Sequence, residues 1–268
     1  MTSILALVDF SDASANAVSF AAELAKRSSA QLIIVNIVQK DEDEESTKNK
    51  LHSLDADLKK SFGLDLKCET ILAHGELIPA LKKIIAIHLP GIIVMGTKGA
   101  SGLKKILIGS NTVKVITNTK VPVFVIPEVA SFENFLKKGK NRIVLATDLE
   151  LFENEDAINI LKEIALLIIE PKLRVVSVRP ENTSLTNSKR MERSFLLSFF
   201  KPEIETERVT VFSKSVIGGI NFYLSQNADT GLVAMIARDA GHLIKKHFTR
   251  EMASHTHLPL LVLHDTKI

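Results

Sequence analysis

The feature that most narrows the folds open to this chain is that the landmarks of its first half recur, in the same order, in its second. The apolar run Ile4 to Val8 ends in Asp9, and the run Ile143 to Ala146 ends in Thr147-Asp148, which puts the two aspartates 139 residues apart. Val121-Pro122-Val123 is matched by Leu258-Pro259-Leu260, with the prolines separated by 137 residues. Gly91-Ile92-Ile93-Val94-Met95 is matched by Gly231-Leu232-Val233-Ala234-Met235 at an offset of 140. Offsets that agree this closely read as a tandem duplication, which has to be recognised before any single element is assigned. A chain of 268 residues also divides naturally into two domains at ~150 residues each. The polar, lysine-rich stretch Asn134 to Asn141 is the expected linker, which gives domains 1–137 and 138–268.

Within each half, short β-branched runs alternate with helical patterns. Strands are expected at Ile4–Val8, Leu32–Val38, Leu66–Leu72, Ile92–Met95 and Val121–Ile126, and again at Ile143–Ala146, Leu173–Val178, Val209–Phe212, Gly231–Ile236 and Leu260–Leu263. Between the first of them, Ala17, Phe20, Ala21 and Leu24 recur at helical spacing over Ser14–Lys26, as do Leu77, Leu81, Ile84, Ile85 and His88, with a further helix over Ser110–Asn118. Strands that are apolar throughout belong to parallel sheets covered on both faces, so the class is α/β with five strands in each half.

Several functions are disfavoured. No apolar run reaches the length of a membrane span, and Asp9 interrupts the N-terminal apolar stretch before any signal-peptide cleavage site, so a cytoplasmic protein is expected. The single cysteine, Cys68, rules out an intrachain disulfide and a cysteine-based zinc site. A net charge of +3, from 34 basic and 31 acidic residues, with only 5% aromatics, argues against a nucleic-acid partner. The acidic run Asp41 to Glu45 lacks the turned, spaced geometry of a cation site and reads as a solvated loop.

The richest segment is Met95-Gly96-Thr97-Lys98-Gly99-Ala100-Ser101-Gly102, continuing to Gly109-Ser110-Asn111-Thr112. It joins a strand to a helix, where glycines let a ligand approach the backbone and a helix N-terminus offers unpaired amides to an anion. Lys98 adds charge, and Ser110 and Thr112 add hydroxyls, so phosphate is the expected guest. Neither a P-loop nor a dinucleotide Gly-x-Gly-x-x-Gly is present. The pattern Gly96-x2-Gly99-x9-Gly109-Ser110, with Val8-Asp9 closing the first strand and a final Val-Pro-Val strand, resembles that of the ATP-binding universal stress protein domains. The resemblance covers residues 1 to about 128 and, more weakly, about 140 to 265, so the whole chain resembles the tandem members of that family.

That resemblance implies two Rossmann-like sheets of order 3-2-1-4-5 that form an internal pseudo-dimer, with a ligand where strands 1 and 4 diverge. It implies that Asp9 and the backbone near Val35 hold adenine. Met95, Gly96, Lys98, Gly99, Gly109, Ser110, Asn111 and Thr112 would surround ribose and phosphates. The implied ligand is ATP or another adenine nucleotide, with Mg2+ as its companion ion, in a stress-response sensor that acts on a protein client and can also form a homodimer. The alternatives are a weak ATP hydrolase and a nucleotide-independent scaffold. No histidine of the first half (His52, His74, His88) stands by Ser110 in sequence as a base. In the second half Ile236 or Ala237 replaces the strand-end glycine, Asp239 introduces a like charge, and Lys246-His247 stands where Gly109-Ser110 would be, so phosphate binding is expected to fail there. His242, His247, His255, His257 and His264 lack the spacing of a zinc site and read as surface or helix-end residues.

Overall fold

The computed structural model describes residues 1–38, 43–97, 109–136, 139–153, 155–238 and 258–265. The first half alternates β1 (Ser3–Leu7), α1 (Asp12–Ser28), β2 (Gln31–Val38), α2 (Glu44–Phe62), β3 (Cys68–His74), α3 (Leu77–His88), β4 (Ile92–Thr97), α4 (Ser110–Asn118) and β5 (Val123–Pro127). A short α5 (Phe132–Leu136) leads to β6 (Arg142–Ala146), α6 (Asp156–Ala165), β7 (Lys172–Arg179), α7 (Asn187–Phe199), β8 (Glu205–Phe212), α8 (Val216–Gln226), β9 (Thr230–Arg238) and β10 (Leu260–Asp265). Each half has the order 3-2-1-4-5 with all neighbours parallel. The halves meet where β5 and β10 pair antiparallel, Phe124 opposite Leu261, to make one ten-stranded sheet. Each half thereby covers the other's open strand edge, which would otherwise present unpaired backbone groups.

Strand alternation sorts the core into two layers, each continuous across both halves. Ile4, Ala6, Ile34, Val94, Phe124, Leu145 and Leu261 face α1, α2, α6 and α7, while Leu5, Leu7, Val35, Met95, Val125, Met235 and Val262 face α3, α4 and α8. Phe20 of α1 is fully enclosed and meets Phe124, Phe132 and Phe135 edge-on, with centroids 5.6, 4.7 and 5.2 Å away. The aromatic i, i+3 pair of α5 therefore packs into the first half's core, and the stretch expected as a linker begins as helix. Residues 137 and 138, where the sequence divides the chain, lie outside the described residues.

The acidic run also departs from a simple loop. Asp43 caps α2, its carboxylate accepting the Ser46 amide at 3.1 Å, and Glu44 and Glu45 form the first turn. Acids favour a helix N-terminus because they complete its unpaired amides and oppose its positive dipole. Among the described residues no helix is long and apolar enough to cross a membrane.

The duplication is visible at single residues. Leu7 pairs with Val35 and Met95 as Ala146 pairs with Val176 and Met235. The chain then turns through a left-handed residue in both halves, Phe10 at φ 59° and Leu149 at φ 60°. The connection that follows differs, four residues (8–11) before α1 and nine (147–155) before α6.

Candidate functional site

In an open parallel sheet the ligand crevice lies beyond the strands' carboxyl ends, where crossovers leave in opposite directions. That point is between β1 and β4. Past β1 the Val8 amide donates to the Val35 carbonyl at 2.9 Å, and Asn36 Nδ2 donates to the Val8 carbonyl at 2.8 Å. The exposed Asp9 then makes an Asx turn, its Oδ1 accepting the Ser11 amide at 3.0 Å and the Ser11 hydroxyl at 2.5 Å. Ser11 in turn caps α1 by accepting the Ser14 amide at 3.3 Å. Partial burial pushes the Asp9 carboxyl up, but the bonds from Ser11 and Ser14 outweigh it and hold the group below its ordinary value, as a fixed anion.

Gly96 ends β4 against the start of α1. A Cβ there would lie 2.2 Å from the Ala13 carbonyl oxygen, so the missing side chain is what lets α1 begin directly above the strand. Its counterpart by register is Ile236, whose side chain forbids that approach and accounts for the longer connection to α6. Gly109 is different. It holds the N-cap of α4 at φ −57° and ψ 148°, backbone open to any residue, and among the described residues a Cβ would meet only Thr112 Oγ1, at 4.0 Å. Among the described residues no side chain caps α4, no acid lies in its first turn, and the amides of Ser110, Asn111 and Thr112 have no intrahelical partner. Ser110 and Asn111 are exposed, whereas Thr112 is buried.

The fold therefore brings Asp9, Gly96, Gly109, Ser110 and Asn111 to one edge of the sheet. Val35 and Met95 flank Leu7 below it with side chains buried towards α3 and α4. Lys98 and Gly99 lie outside the described residues. Sequence reasoning did not find Asn36 and Thr97, which are buried at the ends of β2 and β4, each with one side-chain oxygen unpartnered among the described residues. Their signal was a polar residue inside an otherwise apolar strand.

The equivalent edge of the second half is closed by its own charges. Arg238, at the end of β9, donates to Asp148, to Asp265 Oδ2 at 3.0 Å and to the Glu150 carbonyl at 2.6 Å, and lies over the Phe152 ring at 5.2 Å. Asp265 Oδ1 also accepts the Glu153 amide at 2.9 Å. Glu192 is buried nearby, and that burial pushes its carboxyl up. Asp148 is thus an ion-pair partner besides capping its turn, at 3.2 Å from the Glu150 amide. Residues 239–257, including Asp239, Lys246, His247 and the histidines His242, His255 and His257, lie outside the described residues, and His264 is buried in β10. Among the described residues no group of three or more His, Cys, Asp or Glu could hold a metal ion.

A doubly wound sheet with a helix start and a fixed aspartate at its switch point defines the class, an open-sheet α/β protein with a crevice at its strands' carboxyl ends. Residues 1–127 match the model of the Universal stress protein family. No curated protein matches the chain. Among solved structures, a universal stress protein from Archaeoglobus fulgidus DSM 4304 aligns over 98% of both chains at 17% identity with a TM-score of 0.75. A functionally unknown protein from Pseudomonas aeruginosa PAO1 aligns over 99% of this chain and 93% of its own at 14% identity and a TM-score of 0.66. The first half thus matches the universal stress protein family, and over its whole length the chain shares the fold of the Archaeoglobus fulgidus universal stress protein.

Proposed function

We propose that the first half binds an adenine nucleotide, ATP or a relative, with its phosphates on the N-terminus of α4 and its base towards Asp9 and the β1–β2 ends, and that the second half is a nucleotide-free partner. The observation that carries this reading is Gly109. The described fold has no need of a glycine there, by conformation or by space, yet the position is bare and the amides beneath it are uncapped. Glycine is a fair N-cap residue, but Ser, Asp or Asn would stabilise α4 more, as Ser11, Asp43 and Ser215 do for α1, α2 and α8. Room and unpaired donors together fit an anion that completes the cap.

Lys98, Gly99 and Gly96 belong to the same phosphate-facing connection. Magnesium would enter with the phosphates, since hard cations are commonly shared between substrate phosphates and few carboxylates. In the second half the Arg238 ion pairs occupy the strand ends that correspond to the proposed site. His52 lies on α2, His74 ends β3 two strands from β1, and His88 ends α3 at the opposite edge of the sheet, so none is placed as a base for hydrolysis. The reading is a cytoplasmic stress-response sensor whose nucleotide state is reported to a protein client, with the chain acting as two domains divided near residue 137 and able to form homodimers.

The test is the melting temperature with and without ATP in the parent and in Gly109→Asp. Ligand at ~100 times Kd adds about 2.7 kcal/mol of stability. The expected result is a rise of several degrees with ATP in the parent and none in Gly109→Asp, whose carboxylate fills the cap and repels phosphate. An equal rise in both, or none in the parent, contradicts the proposal. Release of ADP over hours with magnesium, lost in Gly109→Asp, would favour the hydrolase instead.

A further inference from the structure

Away from that crevice, the second half carries guanidinium groups that the described chain leaves without counter-charge. Arg179 ends β7 and Arg208 lies on β8, and strand alternation places both on the side covered by α7, because Val176, Val209 and Val211 belong to the opposite core layer. α7 adds Arg190 and Arg193, three residues apart and so neighbours on the helix surface. The Arg179 guanidinium lies 5.0 Å from the centroid of Phe212, and its Nε and Nη1 are shut off from solvent with no hydrogen-bond partner among the described residues. Among the described residues Arg190 uses only Nε, on the Leu185 carbonyl at 3.1 Å.

Arg190 and Arg208 are exposed and Arg179 and Arg193 half-buried, and the three other half-buried arginines among the described residues of this half behave differently. Arg142 and Arg174 pair with Glu207 and Asp229, and Arg238 with Asp148 and Asp265. The Arg193 guanidinium is held below its ordinary range by burial and then by the positive charges of Arg208, Arg190 and Arg179, which is the electrostatics of cations short of an anion. In the register that superposes the halves, Arg179 and Arg208 take the places of Val38 and Thr70, so the same fold stands without cations there.

We propose that Arg179, Arg190, Arg193 and Arg208 form a second anion site, distinct from the α4 site, that takes the diphosphate group of a small molecule. Guanidinium forks match phosphate oxygens two at a time, and several converging on one spot suit a compact, multiply charged group. Phe212, 52% exposed, offers a ring beside it for a planar substituent. A nucleic-acid strand fits less well, because it needs a track of cations and stacking rings, and here there is one cluster in a chain of net charge +3 with 5% aromatics.

The test is calorimetric titration of the full chain with inorganic pyrophosphate, in the Gly109→Asp background so that α4 does not contribute. The arginine comparison is read within that background and is independent of what α4 binds. Binding of one pyrophosphate, weakened at least about tenfold in the Arg193→Gln/Arg208→Gln double variant, is the expected result. The ligand-free double variant is expected to melt higher than its parent, because removing unbalanced like charges relieves repulsion. Four results overturn the proposal: no pyrophosphate binding, affinity unchanged in the double variant, a ligand-free double variant that melts lower, or binding of an RNA oligonucleotide in place of pyrophosphate.

Discussion

Gly96 and Gly109 belong to one strand-to-helix connection, yet the fold treats them oppositely. At Gly96 an added methyl group would strike the backbone of Ala13 at 2.2 Å, and at Gly109 it would meet nothing closer than 4.0 Å among the described residues. Gly96→Ala is therefore expected to cost about 1–3 kcal/mol, or more if α1 cannot shift, in ligand-free protein. Gly109→Ala should change ligand-free stability by less than ~1 kcal/mol while weakening ATP binding. Urea unfolding and ATP titration of both variants check this, and a large stability loss at Gly109 would mean the glycine serves the fold. In the sequence this connection reads as a candidate phosphate loop because glycine density and a helix start coincide there. The sequence could not separate the two roles, since what crowds Gly96 is a helix start more than eighty residues earlier in the chain.

Among the described elements, one difference between the halves is the β–α connection, four residues before α1 and nine before α6, which follows from Gly96 in one half and Ile236 in the other. The longer loop carries Asp148, Glu150 and Phe152 to Arg238. The missing glycine was readable in the sequence, but the ion pairs of Arg238 at this edge were not, because its partners lie 90 and 27 residues away. Asp265 has a fully buried side chain, so Arg238→Met would remove the guanidinium that pairs with it and should cost about 3–5 kcal/mol, read by urea unfolding. A cost below ~1 kcal/mol would show that the pair is not what closes this edge. Glu192 adds a pH signature. Burial raises its folded value above the ordinary 4.5, so the native state binds that proton more tightly and loses stability as pH rises through the folded value. Glu192→Gln should accordingly be more stable than the parent at pH 7, with the gain disappearing below about pH 4.5. Equal stabilities across that range would contradict the assignment.

For the whole molecule, the five strands of each half follow from apolar runs and their offsets, whereas the strand order came from the family resemblance, because periodicity does not say which strands are neighbours. The antiparallel pairing of β5 with β10 places both central edges out of solvent. Residues 1–137 made alone would expose Val123, Phe124 and Val125 along β5, and sedimentation should find a homodimer rather than a monomer, since a long apolar edge seeks another strand. A stable monomer would mean that β10 is not needed to cover it. The asymmetry between a bare helix start in one half and an arginine-closed edge in the other is tested most directly by where a bound nucleotide sits. Photolabelling with 8-azido-ATP followed by peptide mapping should mark peptides within residues 1–127 and lose that mark in Gly109→Asp. Label in the second half, or label that survives the substitution, would contradict it.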